Sequence, residues 1–455
     1  MAEATSARSA GPTRGVAASI LLALGLFTIY SANRRAIGAG DVVPATLLPV
    51  AMLRGDGPRF DRFAPLVRTP EGRLPGYADD RRGHAVSRYP IGPALVALPF
   101  EWPQLVVLDA LRPGWERDPE RAEAYLGLLG KNAAAAIASL AIVLLYRWLR
   151  GRASARAAMV ASLTVALGTD HWAVASQALW QHGPAALCLM VAILLIEGES
   201  RPRLRLALAG LAAAMLVACR PVDLVASAVL AFWVMTHRPR PERWAFTLAA
   251  GAGAVALCAY NLFYFDTLTG GYAAIEAMHP WAHGTRGSWT APILQGAVGT
   301  LFSPSHGLFA YSPWIALAVA LACLPGTWSR TGGESLGNWL IASLGLSYVV
   351  LAKYSCWWGG HCFGPRFWID VGPIFGLILA RALDWASAGR RWGLLTAFGV
   401  TIAFSVALQA IGAACYPSTW HGIPNNADRH HERLWDWRDN EVTRGWNEGP
   451  RPRDW

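Results

Sequence analysis

The chain has 455 residues, of which 54% are hydrophobic and 15% are charged, with a mean hydropathy of +0.29 and a formal net charge of +10. Soluble chains carry about 25% charged residues, so this balance excludes a disordered, fibrous or disulfide-stapled protein and favours a polytopic membrane protein. Tryptophan contributes 22 residues. Because tryptophan anchors membrane proteins at headgroup depth and arginine gathers on cytoplasmic loops, the positive charge does not indicate nucleic acid as a partner.

A helix needs about 20 apolar residues to cross a bilayer, and eleven segments come close to that requirement. They lie at 15–32, 124–147, 155–170, 183–197, 204–220, 221–236, 244–265, 308–325, 337–353, 367–387 and 393–415. A further apolar segment, 91–111, is interrupted by Pro93, Pro99 and Pro103 and has Glu101 in its middle. We expect a re-entrant or interfacial helix pair there. The predicted fold is an all-α polytopic membrane helix bundle of about eleven transmembrane helices, with amphipathic helices in the first outer loop.

Arginine placement predicts the orientation, because basic residues in short loops stay in the cytoplasm. Arginine clusters in the loops 147–156, 201–205, 238–243 and 381–391. If the N-terminus is cytoplasmic and 91–111 does not fully cross, all four loops are cytoplasmic and the C-terminus is periplasmic. This predicts a protein of the bacterial inner membrane, with a membrane domain at 1–415 and a periplasmic tail at 416–455. The predicted outer segments are then 33–90, 171–182, 266–307, 354–366 and the tail.

The first candidate for chemistry is Asp41, which follows Gly38 and Gly40 soon after the first span. Glycine lets a ligand approach the backbone closely, and a carboxylate at the membrane surface could act as a general base toward an acceptor hydroxyl. The alternative is that Asp41 caps a following amphipathic helix over 44–54.

A basic, aromatic stretch over 81–93 immediately precedes the interrupted apolar segment. Arginine binds phosphate oxygens with two parallel hydrogen bonds, so a lipid-linked phosphate is a natural ligand for this stretch. The alternative is nonspecific attraction to anionic membrane lipids.

The outer segment 171–182 carries indoles, amides and imidazoles, including Trp180, Gln181 and His182. Flat aromatic faces beside hydrogen-bonding groups suit a sugar, whose C–H faces pack on rings. Anchoring at the membrane interface is the alternative interpretation. The tail, with its tryptophans at 435 and 437, is too polar for the bilayer and too aromatic for a solvated end, so we expect it to fold back over the outer face.

Ionisable residues near the predicted spans are candidates by default. Arg366 and Asp370 are four residues apart and are expected to share a helix face, and Arg220 lies between two spans. A structural arginine–aspartate pair is the alternative for either. A lone histidine such as His306 is more often a hydrogen-bonded structural residue than a catalyst.

Seven cysteines are present, and no zinc-type spacing occurs among them. The cysteines predicted to lie at or near the outer surface could form a disulfide in an oxidising periplasm. They are Cys356, Cys362 and Cys415.

Several of these stretches together carry a family resemblance. The pair Gly40-Asp41 and the stretch Tyr89-Pro90-Ile91-Gly92-Pro93 resemble the GT-C superfamily of integral-membrane glycosyltransferases, which includes the protein O-mannosyltransferases and the aminoarabinose transferases of lipid A. The phrases SQALWQHGP, FSPSHGLFAYSP, WWGGHCFGPR and ERLWDWRD are similar to those of a group of bacterial membrane proteins usually placed near that superfamily. The similarity spans most of the chain.

The resemblance implies a polyprenyl-phosphate sugar as donor, a lipid, glycan or protein as acceptor, and Asp41 as the base of an inverting transfer. It implies that the lipid phosphate is held by Arg82, His84, Arg88, Tyr89 and Arg366. The residues implied to bind the sugar or acceptor are Trp180, Gln181, His182, Arg220, His306, Trp357, Trp358 and Asp370. Many superfamily members pair acidic residues in the first outer loop, whereas Asp41 stands alone, with Asp56 and Asp61 farther on. This departure weakens the case for a metal site, and a divalent metal is a possible cofactor with no residues assigned to it.

Two other functions compete with this interpretation. A lipid or polysaccharide flippase or transporter would use the same arginines, but it predicts pseudo-repeated halves, which the sequence does not contain. A noncatalytic envelope scaffold predicts that Asp41, Arg88 and Arg366 can each be replaced without loss of function.

Overall fold

The computed structural model describes residues 12–278, 287–324 and 336–451, and these are predominantly helical. The first α-helices are α1 (Pro12–Ser31), α2 (Val43–Leu53), α3 (Ala64–Val67), α4 (Gly92–Leu111), α5 (Pro119–Arg150), α6 (Ala155–Leu167), α7 (His182–Glu197), α8 (Pro202–Cys219) and α9 (Leu224–His237). The later ones are α10 (Arg240–Phe265), α11 (Tyr272–Met278), α12 (Ile293–Phe302), α13 (Leu308–Tyr311), α14 (Pro313–Ala322), α15 (Leu336–Lys353), α16 (Gly372–Ala388), α17 (Trp392–Cys415) and α18 (Glu441–Glu448).

Six of the described helices are long and apolar enough to cross a membrane, namely α4, α5, α8, α10, α15 and α17. Each of the eleven predicted spans contains a helix, but several of these helices are shorter than the prediction. The main expectation, an all-α protein with helices able to cross a membrane, is therefore confirmed. The number eleven stays a prediction.

Proline and short irregular turns explain where the helices are shorter. The predicted span 308–325 is divided into α13 and α14, because Pro313 disfavours the helical conformation at Ser312, which has φ −133° and ψ 66°. Residue 325 lies outside the described part of the chain. The predicted span 367–387 begins only at Gly372, after a 3₁₀ turn over Arg366–Trp368.

Three expectations about individual segments are wrong. The segment 91–111 is one continuous helix, α4, and not a helix pair. Pro93 lies in its first turn, where the missing N–H has no helical partner to lose. The helix α2 is buried along eight of its eleven residues and is therefore not amphipathic. The predicted polar segment 266–307 contains the apolar helix α12, and its residues 279–286 lie outside the described ranges.

A β-hairpin interrupts the helical fold in the first loop. Strands β1 (Ala78–Arg81) and β2 (His84–Ser87) pair antiparallel, with Asp79 opposite Val86. Arg82 and Gly83 form the two-residue turn, at φ values of 53° and 79°. Positive φ at both positions matches the twist of the strands, so the all-α prediction missed a short element with a recognisable turn.

The four arginine-rich segments come together at one end of the bundle. Arg152 forms an ion pair with Glu197, the last residue of α7. Arg205 and Arg238 donate to backbone carbonyls at 194 and 196. The fourth segment joins them through Asp384, which accepts a hydrogen bond of 2.7 Å from the backbone N–H of Ser154. This end is called the arginine end below.

The tail packs back against the segment that follows α15. Cys356, Trp357 and Trp358 form a hydrophobic cluster with Trp420, Ala427 and Leu434. Trp420 is fully buried and its indole N–H donates to the carbonyl of Asp439 at 2.9 Å. Residues 416–451 are thus an integral part of the fold, and they help to enclose the site described next.

Candidate functional site

A cavity of about 1640 Å³ lies where the first loop, the segment 354–367 and the tail meet the helices α8 to α10. We call it the central cavity. The predicted site residues that line it are Asp41, Tyr89, Gln181, His182, Arg220 and Arg366. His182 begins α7 and Glu197 ends it, so the central cavity and the arginine end are separated by the length of that helix, about 24 Å at 1.5 Å per residue.

Asp41 forms an ion pair with Arg366, with 2.8 Å between Oδ2 and Nη1. Each side chain is 14% exposed. Asp41 does not cap α2, whose N-cap residue is Val42 and whose N-terminus receives no side-chain cap. The capping alternative is therefore wrong. Within the described part of the chain, Oδ1 of Asp41 makes no hydrogen bond, which leaves one carboxylate oxygen for a ligand of the cavity.

Arg366 is held in place on several sides. Its Nη2 donates to the carbonyl of Gly359 at 2.5 Å, and its Cζ lies 4.8 Å from the centroid of the buried Trp180 ring. Burial alone would lower the pKa of Arg366, but the adjacent Asp41 carboxylate raises it above its ordinary value. The guanidinium is a fixed positive charge in the cavity wall. Trp180 packs against this guanidinium but does not line the cavity.

A second buried charge cluster lies beside the first. The Asp370 side chain is 1% exposed. One of its oxygens accepts a hydrogen bond from Arg220, and the other lies 2.8 Å from His182 Nδ1. Arg366 and Asp370 therefore have different partners, and the expectation that they share a helix face is wrong. The cause is the 3₁₀ turn over Arg366–Trp368, which breaks the helical i, i+4 spacing.

Phe367 joins the two clusters. The Cζ of Arg220 lies 4.8 Å from the centroid of its ring, and the Cζ of Arg366 lies 5.8 Å from it. Both distances allow a favourable cation–π contact. Two guanidinium groups and one unpaired carboxylate oxygen consequently line the same part of the central cavity, which we call the charged head.

Tyrosines surround the charged head, and the sequence analysis had singled out only Tyr89. The hydroxyl of Tyr272 donates to Oε1 of Gln181 at 3.0 Å. Burial raises the pKa of Tyr89 and Tyr272 above the ordinary range, so both phenols stay protonated donors. Gly271 brings Tyr272 here, because an added Cβ would lie 2.4 Å from the carbonyl oxygen of Arg88. The Gly270-Gly271 pair was the sequence signal for this close approach.

Three residues expected to hold a lipid phosphate lie outside the central cavity. Arg82 is at the hairpin turn, with a side chain 52% exposed and a contact of 3.7 Å to Asp266. His84 contacts Asp61 at 2.7 Å. Arg88 lies 3.5 Å from Asp79. These three basic side chains contact carboxylates of the hairpin or of neighbouring segments, and none of the three lines the cavity.

Other predicted residues stand behind the cavity wall. His306 is buried with Nε2 at 3.3 Å from the carbonyl of Cys362, and burial lowers its pKa to about 4. Trp358 donates to Asp428 at 2.7 Å. Trp357 packs where a Cβ on Gly299 would lie 2.6 Å from its ring. These three residues support the segment 354–367, as the structural interpretation of His306 anticipated.

From the charged head an apolar trough runs between α8, α9 and α10. It begins beside Arg220 and is lined mostly by small and aliphatic side chains. They include Ala214, Val217, Val222, Leu224, Ala231, Ala250, Ala254 and Leu257. The helix α10 is among the least buried of the candidate spans, because only 6% of its most apolar stretch is buried.

A third region of the central cavity is polar and comes largely from the tail. Its lining residues, which we call the tail lobe, are His361, Tyr416, Ser418, His421, Asn426 and Asp428. The sequence analysis assigned no role to any of them. Their only sequence signal was the high density of histidine and aromatic residues in the tail.

The described residues contain neither a metal-binding cluster nor a disulfide. No group of three or more His, Cys, Asp or Glu side chains there could hold a metal ion. All seven cysteines are free, so the disulfide considered for Cys356, Cys362 and Cys415 is not formed in this structure.

No model of a protein family matches the chain, and no curated protein matches it. The functional assignment therefore depends on the central cavity itself, which joins an apolar trough, a charged head and a polar lobe.

Proposed function

We propose that the chain is an integral-membrane glycosyltransferase of the GT-C type, which moves a sugar from a polyprenyl-phosphate donor to an acceptor with Asp41 as general base. One observation carries this proposal. A single cavity joins an apolar trough to a head that holds two arginines and one carboxylate with an available oxygen. The trough suits the chain of a lipid-linked sugar, the two arginines suit its anionic headgroup, and the carboxylate suits the reaction at its sugar.

The donor occupies the trough and the charged head. Its polyprenyl chain lies between α8, α9 and α10, where each Å² of apolar surface removed from water contributes about 25 cal/mol. Its phosphate lies against Arg366 and Arg220, whose planar groups suit phosphate oxygens. The phenols of Tyr89 and Tyr272 add neutral donors. Arg82, His84 and Arg88 have no part in this assignment, because they lie outside the cavity.

The reaction is a displacement at the anomeric carbon. The acceptor hydroxyl donates to Oδ1 of Asp41, which takes the proton as the oxygen attacks. The bond between the anomeric carbon and the phosphate oxygen breaks, and its electron pair leaves with the polyprenyl phosphate. Arg366 and Arg220 stabilise the charge that develops there. Attack from the face opposite the phosphate inverts the anomeric configuration.

Placement in the membrane follows the same proposal. The arginine end lies in the cytoplasm, since basic residues stay on that side, and the central cavity opens toward the periplasm. The N-terminus is then cytoplasmic and the tail periplasmic, with eleven full crossings in the inner membrane of a bacterium. This orientation requires that α4 does not cross, although α4 is long and apolar enough to do so. The distance of about 24 Å along α7 between the two ends is close to a bilayer core of about 30 Å.

The test uses purified, full-length protein incubated with undecaprenyl-phosphate-linked mannose, glucose, galactose and aminoarabinose, with a lipid, a saccharide and a peptide added as acceptors. Mass spectrometry then reads bound lipid and transferred sugar. We expect at least one donor to bind and to lose its sugar in the wild type, and binding without sugar loss in Asp41→Asn. Absence of binding by the whole panel would contradict the proposal. Movement of intact lipid between leaflets without sugar loss would favour the flippase.

A further inference from the structure

We propose that the tail lobe is the acceptor subsite, and that it takes a neutral, hydroxyl-rich group, a carbohydrate. This inference rests on the proposed function, because the lobe has an acceptor role only if Asp41 activates a hydroxyl. The structure assigns the lobe by its position, its rigidity and its chemistry.

The position follows from Arg366, which touches both regions. Its guanidinium contacts Asp41 and also the carbonyl of Gly359. Gly359 and Gly360 have φ values of 86° and 71°, which side chains other than glycine rarely adopt. The turn they form places His361 two residues after Gly359, whose carbonyl Arg366 binds. The lobe therefore adjoins the Asp41 side of the charged head, whereas the apolar trough begins beside Arg220.

The lobe is a built surface. His361 Nε2 lies 3.0 Å from one oxygen of Asp428, and the Trp358 indole donates to the other at 2.7 Å. The hydroxyl of Tyr416 donates to the carbonyl of His361 at 3.0 Å. His361 and His421 stack with ring centroids 4.5 Å apart and 23° between their planes. These contacts fix the imidazoles while the His361 side chain remains 45% exposed to the cavity.

The tail that carries the lobe is fixed at several points as well. The hydroxyl of Ser303 donates to the carbonyl of Leu434 at 2.6 Å. The backbone N–H of Gly364 donates to Glu441 at 3.0 Å, and the Glu441 side chain is fully buried. A wall held by buried contacts on α12 and on the segment 354–367 is preorganised, and preorganisation lowers the cost of binding a ligand.

The chemistry of the lobe favours a neutral ligand. The six residues that define the lobe include no lysine or arginine, and the Asp428 carboxylate would repel an anion. Arg35 also lines the cavity, but its guanidinium donates to the carbonyl of Ala414, two residues before Tyr416, at 3.1 Å. Burial opposes ionisation of Asp428, but His361 and Trp358 hold the pKa of its carboxyl below the usual range. Imidazole, amide, phenol and hydroxyl groups offer both donors and acceptors to sugar hydroxyls. The stacked imidazole faces suit the C–H face of a sugar ring.

The test measures carbohydrate binding to the full-length protein in nanodiscs by saturation-transfer NMR. The probes are maltotriose, mannotriose and diacetylchitobiose, and undecaprenyl phosphate binding is measured on the same wild-type sample by native mass spectrometry. We expect saturation transfer to at least one saccharide, reduced about threefold or more in His361→Gln and in Asn426→Ala. The matched control is His430→Ala, a tail histidine that is 44% exposed and contacts Glu432 outside the cavity. It should leave the signal unchanged.

The outcomes separate the two proposals. If wild-type protein binds undecaprenyl phosphate but no saccharide, or if both lobe variants retain the full saccharide signal, the acceptor subsite is overturned and the proposed function stands. If wild-type protein fails to bind undecaprenyl phosphate, the proposed function is overturned and the subsite with it. Should His361→Gln fail to fold, Asn426→Ala decides the result, because Asn426 is only partly buried.

Discussion

The carboxylate of Asp41 contacts the guanidinium of Arg366 at 2.8 Å although 325 residues separate them in the chain. Taking two charges out of water costs several kcal/mol per ion, so a buried ion pair is weak support for stability. Its position in the wall of the central cavity gives it a different use. The pair orients the one carboxylate that the proposed reaction needs and sets a fixed positive charge beside it.

Replacing Asp41 with Asn should reduce sugar transfer about 100-fold or more, because an amide cannot accept the acceptor's proton and general-base catalysis contributes roughly 10²- to 10⁴-fold. Transfer is measured with the donor that the wild type uses, and folding is checked by thermal unfolding. Asp56→Asn is the matched control, since Asp56 lies in the same loop and pairs with Arg62. Retained transfer in Asp41→Asn would remove Asp41 from the role of base.

Replacing Arg366 or Arg220 with Lys should weaken binding of undecaprenyl phosphate about tenfold, because lysine keeps the charge but loses the planar two-donor geometry. Binding is measured by native mass spectrometry titration. The control is Arg82→Lys at the exposed hairpin turn. Because Arg82 lies outside the cavity, this variant should bind undecaprenyl phosphate within about twofold of the wild type, whereas the loss of one charge-assisted contact accounts for the tenfold change expected at Arg366 or Arg220. Equal losses in all three variants would point to nonspecific attraction to the lipid.

Asp370→Asn should destabilise the fold by about 3–5 kcal/mol, because it leaves Arg220 buried without its carboxylate. The double variant Arg220→Met with Asp370→Leu should cost less than the single change, since neither charge then remains. Thermal unfolding in one detergent compares the wild type, Asp370→Asn, the single variants Arg220→Met and Asp370→Leu, and the double variant. A double variant that loses as much as the two single variants combined would show that the pair is not energetically coupled.

The contribution of Glu441 to the docking of the tail should be lost as the pH rises from 4.5 to about 7. Burial raises the pKa of the Glu441 carboxyl to about 7 from an ordinary value of 4.5. The folded state therefore holds this proton more tightly than the unfolded state, so the stabilisation is complete below pH 4.5 and is lost as the pH passes 7. Burial is the main cause that lowers the pKa values of its neighbours His306 and His421, to about 4 and about 3. Because the unfolded state binds more protons at these two histidines below pH 6.5, they act in the opposite direction, and the Glu441 contribution is the difference between the wild type and Glu441→Gln.

Hydrogen exchange over residues 416–451, corrected for the intrinsic rate, measures this effect. Glu441→Gln should remove the component that weakens docking between pH 4.5 and 7, leaving the parts that come from His306, His421 and the His361–Asp428 pair. Glu432→Gln is the control, because its side chain is 74% exposed. An unchanged pH profile in Glu441→Gln would exclude this carboxyl as the titrating group.

Gly92→Ala should destabilise the bundle by about 1–3 kcal/mol, the usual cost of overpacking. A Cβ there would lie 2.3 Å from the carbonyl carbon of Ala218, two residues before Arg220. We therefore also expect weaker binding of undecaprenyl phosphate. Gly399→Ala is the control, because a Cβ at Gly399 meets nothing within 4 Å. Thermal unfolding compares the two, and equal midpoints would show that α4 and α8 separate without cost.

Apolar runs were sufficient to find helices at all eleven predicted positions, because a helix in lipid must satisfy its backbone internally. The charge pattern likewise anticipated that the arginine segments meet, as the contacts of Arg152 with Glu197 show. The helix pair predicted at 91–111 was wrong, since Pro93 occupies a position that tolerates proline and α4 continues through the later two.

The pairing of charges could not be predicted, because no local periodicity links Asp41 to Arg366. The rule for residues four apart placed Arg366 and Asp370 together and was wrong, since it holds only inside a regular helix. Arg82 was expected to bind phosphate because of its charge. Its position before Gly83 in a hairpin turn places it outside the cavity instead. The tail lobe depends on tertiary packing and has no motif of its own.

The contact between Asp41 and Arg366 also bears on how the protein is made. Asp41 leaves the ribosome long before Arg366 does, and the tail that carries His421 and Asp428 follows later still. An incompletely translated chain therefore has the carboxylate without its guanidinium and the trough without the tail lobe. In the proposed reaction such a nascent chain could not bind and cleave a lipid-linked sugar prematurely, because that reaction needs the Asp41–Arg366 pair to be complete.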